Sequence, residues 1–445
     1  MIEEEEEEED QGQTENQAQG EASTQVQHFL PSRSLTQEHH QAYSQYQSRE
    51  STSDRHQPYQ HEFTAPASRQ SPSDAPNTFE ISSQEDIWSC WERHLADDTL
   101  HQYSLERLGI IQCGSNVECN PKYPQELYDL LVFDNTHFTN PVANHHIIFD
   151  KIFDSSNNQK EMLESLRAIT YDQLQNKEIN FVHSIMLTLL SSTLSTIDIT
   201  FNETCFSYYV VWPLIHAVTK AIDGATFNPG EYYLRAISCE FARRKISNNQ
   251  HYKADGCISV KVKDIKHELV LLEVSGPFKL ENEGRFTKDH VKAGYGLVAM
   301  LNQIAYQYEY ASFDVLTGVR IYFVHAKSNK LRLWSFEMAS PGIYVLNLLD
   351  SQTLPDDFAS SELAVESLCI ELWHLKELLD YTAHQIQLLA NSDAQNKREF
   401  SRARRTMPDI KPTLLRDSLK IDAEVKLNVD YLKDHQELDI CSSLG

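Results

Sequence analysis

Hydrophobic and polar positions divide the chain into a polar start, a patterned middle and a polar end. Residues 1–83 carry almost no aliphatic side chains and are rich in Gln, Ser, Glu and His. Such a segment cannot bury enough apolar area to offset the entropy lost on ordering, so we expect a disordered tail. Residues 392–445 are polar again, and we expect a second tail there.

Helical spacing of apolar residues is found throughout residues 84–199. A capping-box pattern, Ser82-Ser-Gln-Glu85, precedes this region and predicts the start of its first helix. Further helices are predicted at about 123–133, 158–176 and 178–193. We therefore expect a helical N-terminal region.

Residues 200–391 alternate between helical and strand-like patterns. The pattern predicts, in chain order, a helix at 202–222 kinked at Pro213, a loop at 223–230, strands at 234–247, 254–262 and 267–275, a helix at 287–308, strands at 312–326, 331–338 and 343–349, and a helix at 358–391. This order is typical of an α/β or α+β domain with a mixed sheet flanked by helices.

The charge balance bears on the kind of partner. The net charge is −26, and residues 1–83 contribute about 12 of these negative charges through 16 acidic and 4 basic side chains. An acidic chain disfavours broad, non-specific nucleic-acid binding, because such binding depends on neutralising phosphates. A local basic groove for nucleic acid is compatible with this balance, and the polar tails are candidate regions for protein partners.

Cysteine usage and hydropathy bear on the compartment. The eight cysteines are scattered without a CxxC pair, and the N-terminus carries no secretory signal. We therefore expect reduced thiols and an intracellular location, in the nucleus or the cytoplasm, with the basic cluster at 397–405 as a weak nuclear signal. The most apolar stretch, 181–199, is interrupted by His183 and several Ser and Thr residues, which predicts a buried helix and no membrane span.

Two neighbouring predicted strands each carry one carboxylate among apolar residues. Asp255 begins the strand at 254–262, and Glu273 lies near the end of the strand at 267–275. A buried acid must be paired or must hold a cation. If the strands pair as a hairpin, the two acids are placed to share a divalent metal such as Mg²⁺ or Mn²⁺. The alternative is that Asp255 belongs to a turn and that Glu273 faces solvent at a sheet edge.

The spacing D–x17–E–x–S resembles the signature of the PD-(D/E)XK nuclease superfamily. The resemblance implies a restriction-endonuclease-like mixed sheet over residues 200–391. It also implies a metal site formed by Asp255, Glu273 and the backbone carbonyl of Val274, with Glu203 as the acid of the preceding helix. The implied activity is Mg²⁺-dependent phosphodiester hydrolysis of nucleic acid, with DNA favoured.

The sequence departs from that signature at two positions. Ala254 stands where the proline of the signature would be, and Ser275 stands where its lysine would be. Lys288 and Lys292 follow on one face of the next predicted helix, and Lys279 is a weaker third substitute. We predict that the ammonium group of Lys288 or Lys292 lies within about 6 Å of the Glu273 carboxylate and assists catalysis with it.

Two other functions stay open from the sequence. Loss of the signature lysine, together with the acidic surface, favours a catalytically inactive nuclease fold that serves as a binding module. If the acids are incidental, the chain is a protein-interaction scaffold whose tails recruit partners.

Overall fold

A seven-stranded mixed sheet forms the centre of the molecule. The computed structural model describes residues 86–420 apart from 98, 101–103, 115–116, 118–119, 121–122, 130, 132–138, 155–157 and 246–252. All described residues belong to one compact unit. The predicted tail at 1–83, the capping box at Ser82–Glu85 and the last part of the predicted C-terminal tail lie outside the described residues.

The strands lie in the order β1-β7-β6-β5-β4-β3-β2. They are Ile110–Gly114 (β1), Ala225–Tyr233 (β2), Lys253–Val262 (β3), Ile265–Val274 (β4), Ile321–Lys327 (β5), Lys330–Ser340 (β6) and Ile343–Thr353 (β7). The β1–β7 and β4–β5 pairs are parallel, and the other pairs are antiparallel. The central strands β4 and β5 read as nearly continuous apolar runs, because both faces of the sheet are covered.

Helices cover both faces of this sheet. They are Ile87–Leu95 (α1), Gln125–Asp129 (α2), His146–Asp154 (α3), Gln159–Arg167 (α4), Lys177–Leu194 (α5), Glu203–Phe206 (α6), Trp212–Lys220 (α7), Arg235–Arg244 (α8), Glu283–Gln307 (α9), Phe313–Leu316 (α10) and Glu362–Thr406 (α11). Helix α9 packs on the face of the sheet that carries Glu273, to which it contributes Lys292. Helix α11 packs on the opposite face, where the Tyr322 hydroxyl donates to the Leu378 carbonyl at 3.2 Å.

This architecture confirms the predicted fold class of a mixed sheet flanked by helices. The strands predicted at 254–262, 267–275, 331–338 and 343–349 are present, as are the helices predicted at 178–193 and 287–308. A π-helical turn, Ser207–Val211, lies directly before α7, whose first turn contains Pro213, and the kink itself stays a prediction. Such a turn accommodates a residue that lacks a backbone N–H. Of the helices in the described part of the chain, none combines the length and apolar character that crossing a membrane requires.

Several predicted boundaries are wrong. The predicted loop at 223–230 is largely β2, where Pro229 is tolerated because an edge strand leaves backbone donors unpaired. The predicted strand at 234–247 is helix α8, in which Ile237 and Phe241 share one buried face at a spacing of one turn. The strand predicted at 312–326 begins with the short helix α10 and becomes a strand only at Ile321.

The predicted limits of the domain are also corrected. The region 84–199 is not purely helical, since β1 lies within it and pairs with β7. The closing helix does not end at 391 but continues to Thr406 as part of α11. The segment 407–420 then packs back on the core, burying Leu414, Leu415 and Leu419. Residues 392–420 are therefore part of the folded unit and not a tail.

Candidate functional site

The pairing of β3 with β4 brings the two strand acids together. Gly256 lies opposite Leu272, and Cys257 lies opposite Leu271. One further step in this register places Asp255 opposite Glu273. Directly opposed residues of an antiparallel pair project from the same face of the sheet, with Cβ atoms about 5 Å apart. Both carboxyl groups therefore project from the face of the sheet that α9 covers.

Glu273 forms a buried ion pair with Lys292. Its side chain is 1% exposed, and its Oε2 lies 3.0 Å from Lys292 Nζ. The predicted approach of a lysine from the following helix is thus confirmed for Lys292. Lys288 is half-buried one turn earlier on α9. Within the described residues it makes no ion pair with Glu273, so of the two candidate lysines the structure favours Lys292.

Lys292 remains positively charged in this environment. Burial alone would lower the pKa of its ammonium group. The carboxylates of Glu273, Asp289 and Asp255 outweigh burial and raise the pKa above its ordinary value. A charged ammonium group is therefore held beside Glu273 at neutral pH.

Asp255 is fixed against the end of β4. Its Oδ2 accepts a hydrogen bond from the backbone N–H of Val274 at 2.7 Å. Its backbone carbonyl accepts a bond from the Trp212 indole N–H at 3.1 Å, which ties the start of β3 to α7. Burial raises the pKa of the Asp255 carboxyl, although the Val274 N–H and the Lys292 charge oppose that rise.

Glu203 belongs to the same electrostatic group. Asn202 caps the helix that begins at Glu203, because its side chain accepts from Cys205 N at 2.8 Å. The Glu203 carboxylate forms an ion pair with Arg285 of α9. Burial and the nearby charge of Asp255 raise the pKa of Glu203 to about 7, against the attraction of Arg285.

Asp289 is a further acid of this cluster that sequence reasoning missed. Arg285, Asp289 and Lys292 lie at i, i+4 and i+7 on α9, so they share one helical face. Asp289 Oδ2 lies 4.0 Å from Arg285 Nε and accepts a hydrogen bond from Ser275 Oγ at 2.7 Å. Its spacing from Lys292 is the signal in the sequence that identifies it.

Ser275 connects this cluster to His325, which was also missed. Ser275 Oγ lies 2.8 Å from His325 Nε2, and the side chains of both residues are buried. Because the single hydroxyl proton is donated to Asp289, the ring nitrogen must be the donor in the bond between Ser275 and His325. Burial, together with nearby positive charges, lowers the pKa of His325 well below its ordinary value, so the ring is neutral. Ser275 is thus a buried hydrogen-bonding residue directly after the end of β4.

The donor set suits a hard divalent cation. Four carboxylates, those of Glu203, Asp255, Glu273 and Asp289, face the two cations Arg285 and Lys292. Burial is the main cause of the raised pKa values of Glu203 and Asp255, and neighbouring carboxylates of the cluster add to it. Oxygen ligands of this kind are those that Mg²⁺ and Mn²⁺ prefer.

The arrangement is not a ready-made ligand set. No three His, Cys, Asp or Glu side chains of the described residues converge closely enough to hold a metal ion as they stand. Asp255 and Glu273 are engaged by the Val274 N–H and by Lys292 respectively. The role of the Val274 carbonyl as a ligand stays a prediction.

Comparison with known proteins does not identify a family or a function for this site. The chain matches no protein-family model, no curated protein and no solved structure.

Proposed function

We propose that this protein is a metal-dependent nuclease that hydrolyses phosphodiester bonds, with DNA as the favoured substrate. Its site would be of PD-(D/E)XK type, with the signature lysine supplied from the following helix. One observation carries the proposal: Lys292 Nζ of α9 lies 3.0 Å from Glu273 Oε2, beside Asp255 on the neighbouring strand. The ammonium group is thus present although the signature position holds Ser275.

Each residue has a distinct role in this proposal. Asp255, Glu273, Glu203 and the Val274 carbonyl would hold Mg²⁺ or Mn²⁺, which when bound polarises a phosphate and lowers the pKa of a coordinated water. Lys292 orients the attacking water and offsets the negative charge that develops on the phosphate. Ser275 and Asp289 position α9 against the end of β4, because they join the two elements by a hydrogen bond.

A second candidate function is a nuclease fold that binds nucleic acid without cleaving it. The observation that favours it is that carboxylate oxygens of both strand acids are already engaged within the protein. Such a module would retain the charge pattern of the site and lack turnover.

Cleavage assays on plasmid and single-stranded DNA with Mg²⁺ or Mn²⁺ distinguish the two candidates. The wild-type protein should cleave only with the metal, and Lys292→Gln should lose cleavage. Lys288→Gln is the matched control on the same helix and should retain it. Nucleic-acid binding without cleavage by the wild-type protein would favour the binding module.

The metal site is tested separately by thermal unfolding. Millimolar Mn²⁺ should raise the melting temperature of the wild-type protein, since a ligand that binds only the native state stabilises it. Glu273→Gln should remove that rise, and Lys292→Gln should largely keep it because lysine is not a metal ligand. An equal response of the wild-type protein and Glu273→Gln would refute the site.

A further inference from the structure

The sheet face that carries the acids becomes basic two strands further on. His325 lies opposite Glu273 in the β4–β5 pair, and Arg332 lies opposite His325 in the β5–β6 pair. Paired residues share a face, so Glu273, His325 and Arg332 form one row across the sheet. Lys327 follows His325 by two residues on β5 and therefore projects from that same face.

Lys327 and Arg332 are buried cations with little opposing charge. Their side chains belong to residues that are only 7% and 8% exposed. The Arg332 Nε atom is buried without a hydrogen-bond partner. Burial lowers the pKa of both groups, and the Arg332 charge lowers that of Lys327 further. A buried positive charge is costly unless an anion accompanies it.

The surroundings of this pair supply little negative charge. Burial and the charges of Lys327 and Arg332 lower the pKa of His290 to about 3, so that ring is neutral. On the other side, Lys327 Nζ lies 5.0 Å from the ring centroid of Phe286. Glu283 Oε2 lies 3.8 Å from Lys327 Nζ, but its side chain is 61% exposed.

Glu281 is a second carboxylate near Lys327, and it accepts a hydrogen bond from Ser328. Both carboxylates are exposed, so solvent screens them and they compensate the buried pair only in part.

We propose that Lys327 and Arg332 form a binding site for the terminal phosphate of a nucleic-acid strand. A guanidinium group with an ammonium group is suited to phosphate oxygens. The burial of the pair favours a terminal group, because an internal phosphodiester carries a sugar on each side and reaches a buried group less readily. This inference rests on the proposed nuclease function for its choice of ligand.

The spacing between strands gives the distance from the proposed phosphate site to the acid cluster. Arg332 lies two strands from Glu273, a separation of roughly 10 Å from interstrand spacing. A strand whose terminal phosphate reaches Arg332 would thus present a phosphodiester close to that end to the acid cluster. The phosphate site would direct hydrolysis to strand ends.

Fluorescence anisotropy of the full chain with labelled single-stranded oligonucleotides in EDTA tests this proposal. The oligonucleotides carry a 5′ phosphate, a 3′ phosphate or hydroxyls at both ends. Either the 5′ or the 3′ phosphate should lower the dissociation constant at least about tenfold relative to the hydroxyl-ended strand. This factor corresponds to roughly 1.4 kcal/mol of binding free energy. Lys327→Gln and Arg332→Gln should abolish that preference without changing the affinity for the hydroxyl-ended strand.

Two further variants sharpen the result. Lys330→Gln removes an exposed lysine of the same hairpin and should keep the preference, which separates the buried pair from general basic charge. Glu283→Gln removes the exposed carboxylate that pairs with Lys327 and should strengthen the preference. If the Lys327 and Arg332 variants weaken binding to all three oligonucleotides equally, the site holds a backbone phosphate and the terminal assignment is wrong.

Equal affinity of the wild-type protein for all three oligonucleotides would overturn the proposal. Should Arg332→Gln not fold, inorganic phosphate serves as the probe. Phosphate should raise the melting temperature of the wild-type protein above that in chloride at equal ionic strength, and no rise would overturn the site.

The two proposals fail separately. An end preference without metal-dependent cleavage refutes the nuclease, and cleavage indifferent to end chemistry refutes only the phosphate site.

Discussion

At the scale of single residues, the ion pair of Glu273 and Lys292 depends on both partners. Loss of one partner leaves a buried charge without compensation, which costs about 3–5 kcal/mol. We expect Lys292→Ala to lower the free energy of unfolding by about that amount, and Lys288→Ala to change it by about 0.5 kcal/mol or less. Urea unfolding measures both variants. The double variant Glu273→Gln/Lys292→Gln should recover much of the loss, and a double variant as unstable as Lys292→Ala would contradict this account.

Glu203 gives stability a defined pH dependence. Its pKa is raised from 4.5 to about 7 in the folded protein, so the native state favours the protonated form. Ionisation therefore opposes folding, and the contribution of this residue to stability falls as the pH rises from about 4.5 to about 7. We expect Glu203→Gln to flatten the melting temperature across this window. The exposed Glu161→Gln is the control for lost negative charge, and an equal effect of both variants would contradict the prediction.

Ser275 cannot simply be replaced by the lysine of the nuclease signature. It is fully buried between Asp289 and His325 and makes a hydrogen bond to each. We expect Ser275→Lys to destabilise the fold strongly and to add no activity, because an overpacked cationic side chain would meet a neutral, buried ring. Ser275→Ala should cost about 1–3 kcal/mol through unmade hydrogen bonds. Thermal unfolding compares the two variants, and a Ser275→Lys protein as stable as the wild type would refute this.

The residues of the site differ in how far the sequence could predict them. Lys292 could be predicted, because helical spacing and the absent signature lysine point to it. Asp289 shares that helical face and could have been found by the same reasoning. His325 and Arg332 could not, since their partners depend on which strand lies beside which, and local pattern does not fix strand order.

At the scale of elements, errors arose where local composition and tertiary pairing disagree. Pro229 and the neighbouring Gly230 favour a loop by composition, yet the edge position of β2 tolerates both. The last part of α11 is polar, a pattern that predicts a tail. It is held by bonds that no periodicity reveals, such as those from Asn396 Nδ2 to the Tyr310 carbonyl and from Tyr310 N to Asp393 Oδ1.

The segment 407–420 gives a prediction at this scale. Leu415 N donates to the Glu309 carbonyl at 2.8 Å, and Gly342 N donates to the Ser418 carbonyl at 2.8 Å, which attaches the segment to the end of α9 and to the β6–β7 turn. We expect a chain that ends at 391 to unfold at a lower temperature than one that ends at 420. Thermal unfolding of the two truncated chains measures this, and equal melting temperatures would show that residues 392–420 contribute no stability.

At the scale of the whole molecule, the chain is acidic overall, but acidic and basic side chains occupy separate parts of one sheet face. The net charge of −26 disfavours contact with phosphates over most of the surface. The face under α9 carries acids on β3 and β4 and buried cations on β5 and β6. Net charge therefore sets the long-range repulsion of phosphates, while the proposed phosphate site depends on the local charges of this row of side chains.

Strand β1 also bears on when the chain can fold during its synthesis. Its Cys113 contacts Leu346 of β7, 233 positions later in the sequence. At ribosomal rates of about 5–20 residues per second, β7 emerges on the order of tens of seconds after β1. Throughout that interval Ile110 and Ile111, both buried in the finished protein, have no strand to pair with. The nascent chain thus carries an unpaired apolar strand until almost all of the sheet has been translated, and this is the period in which it most needs chaperone protection.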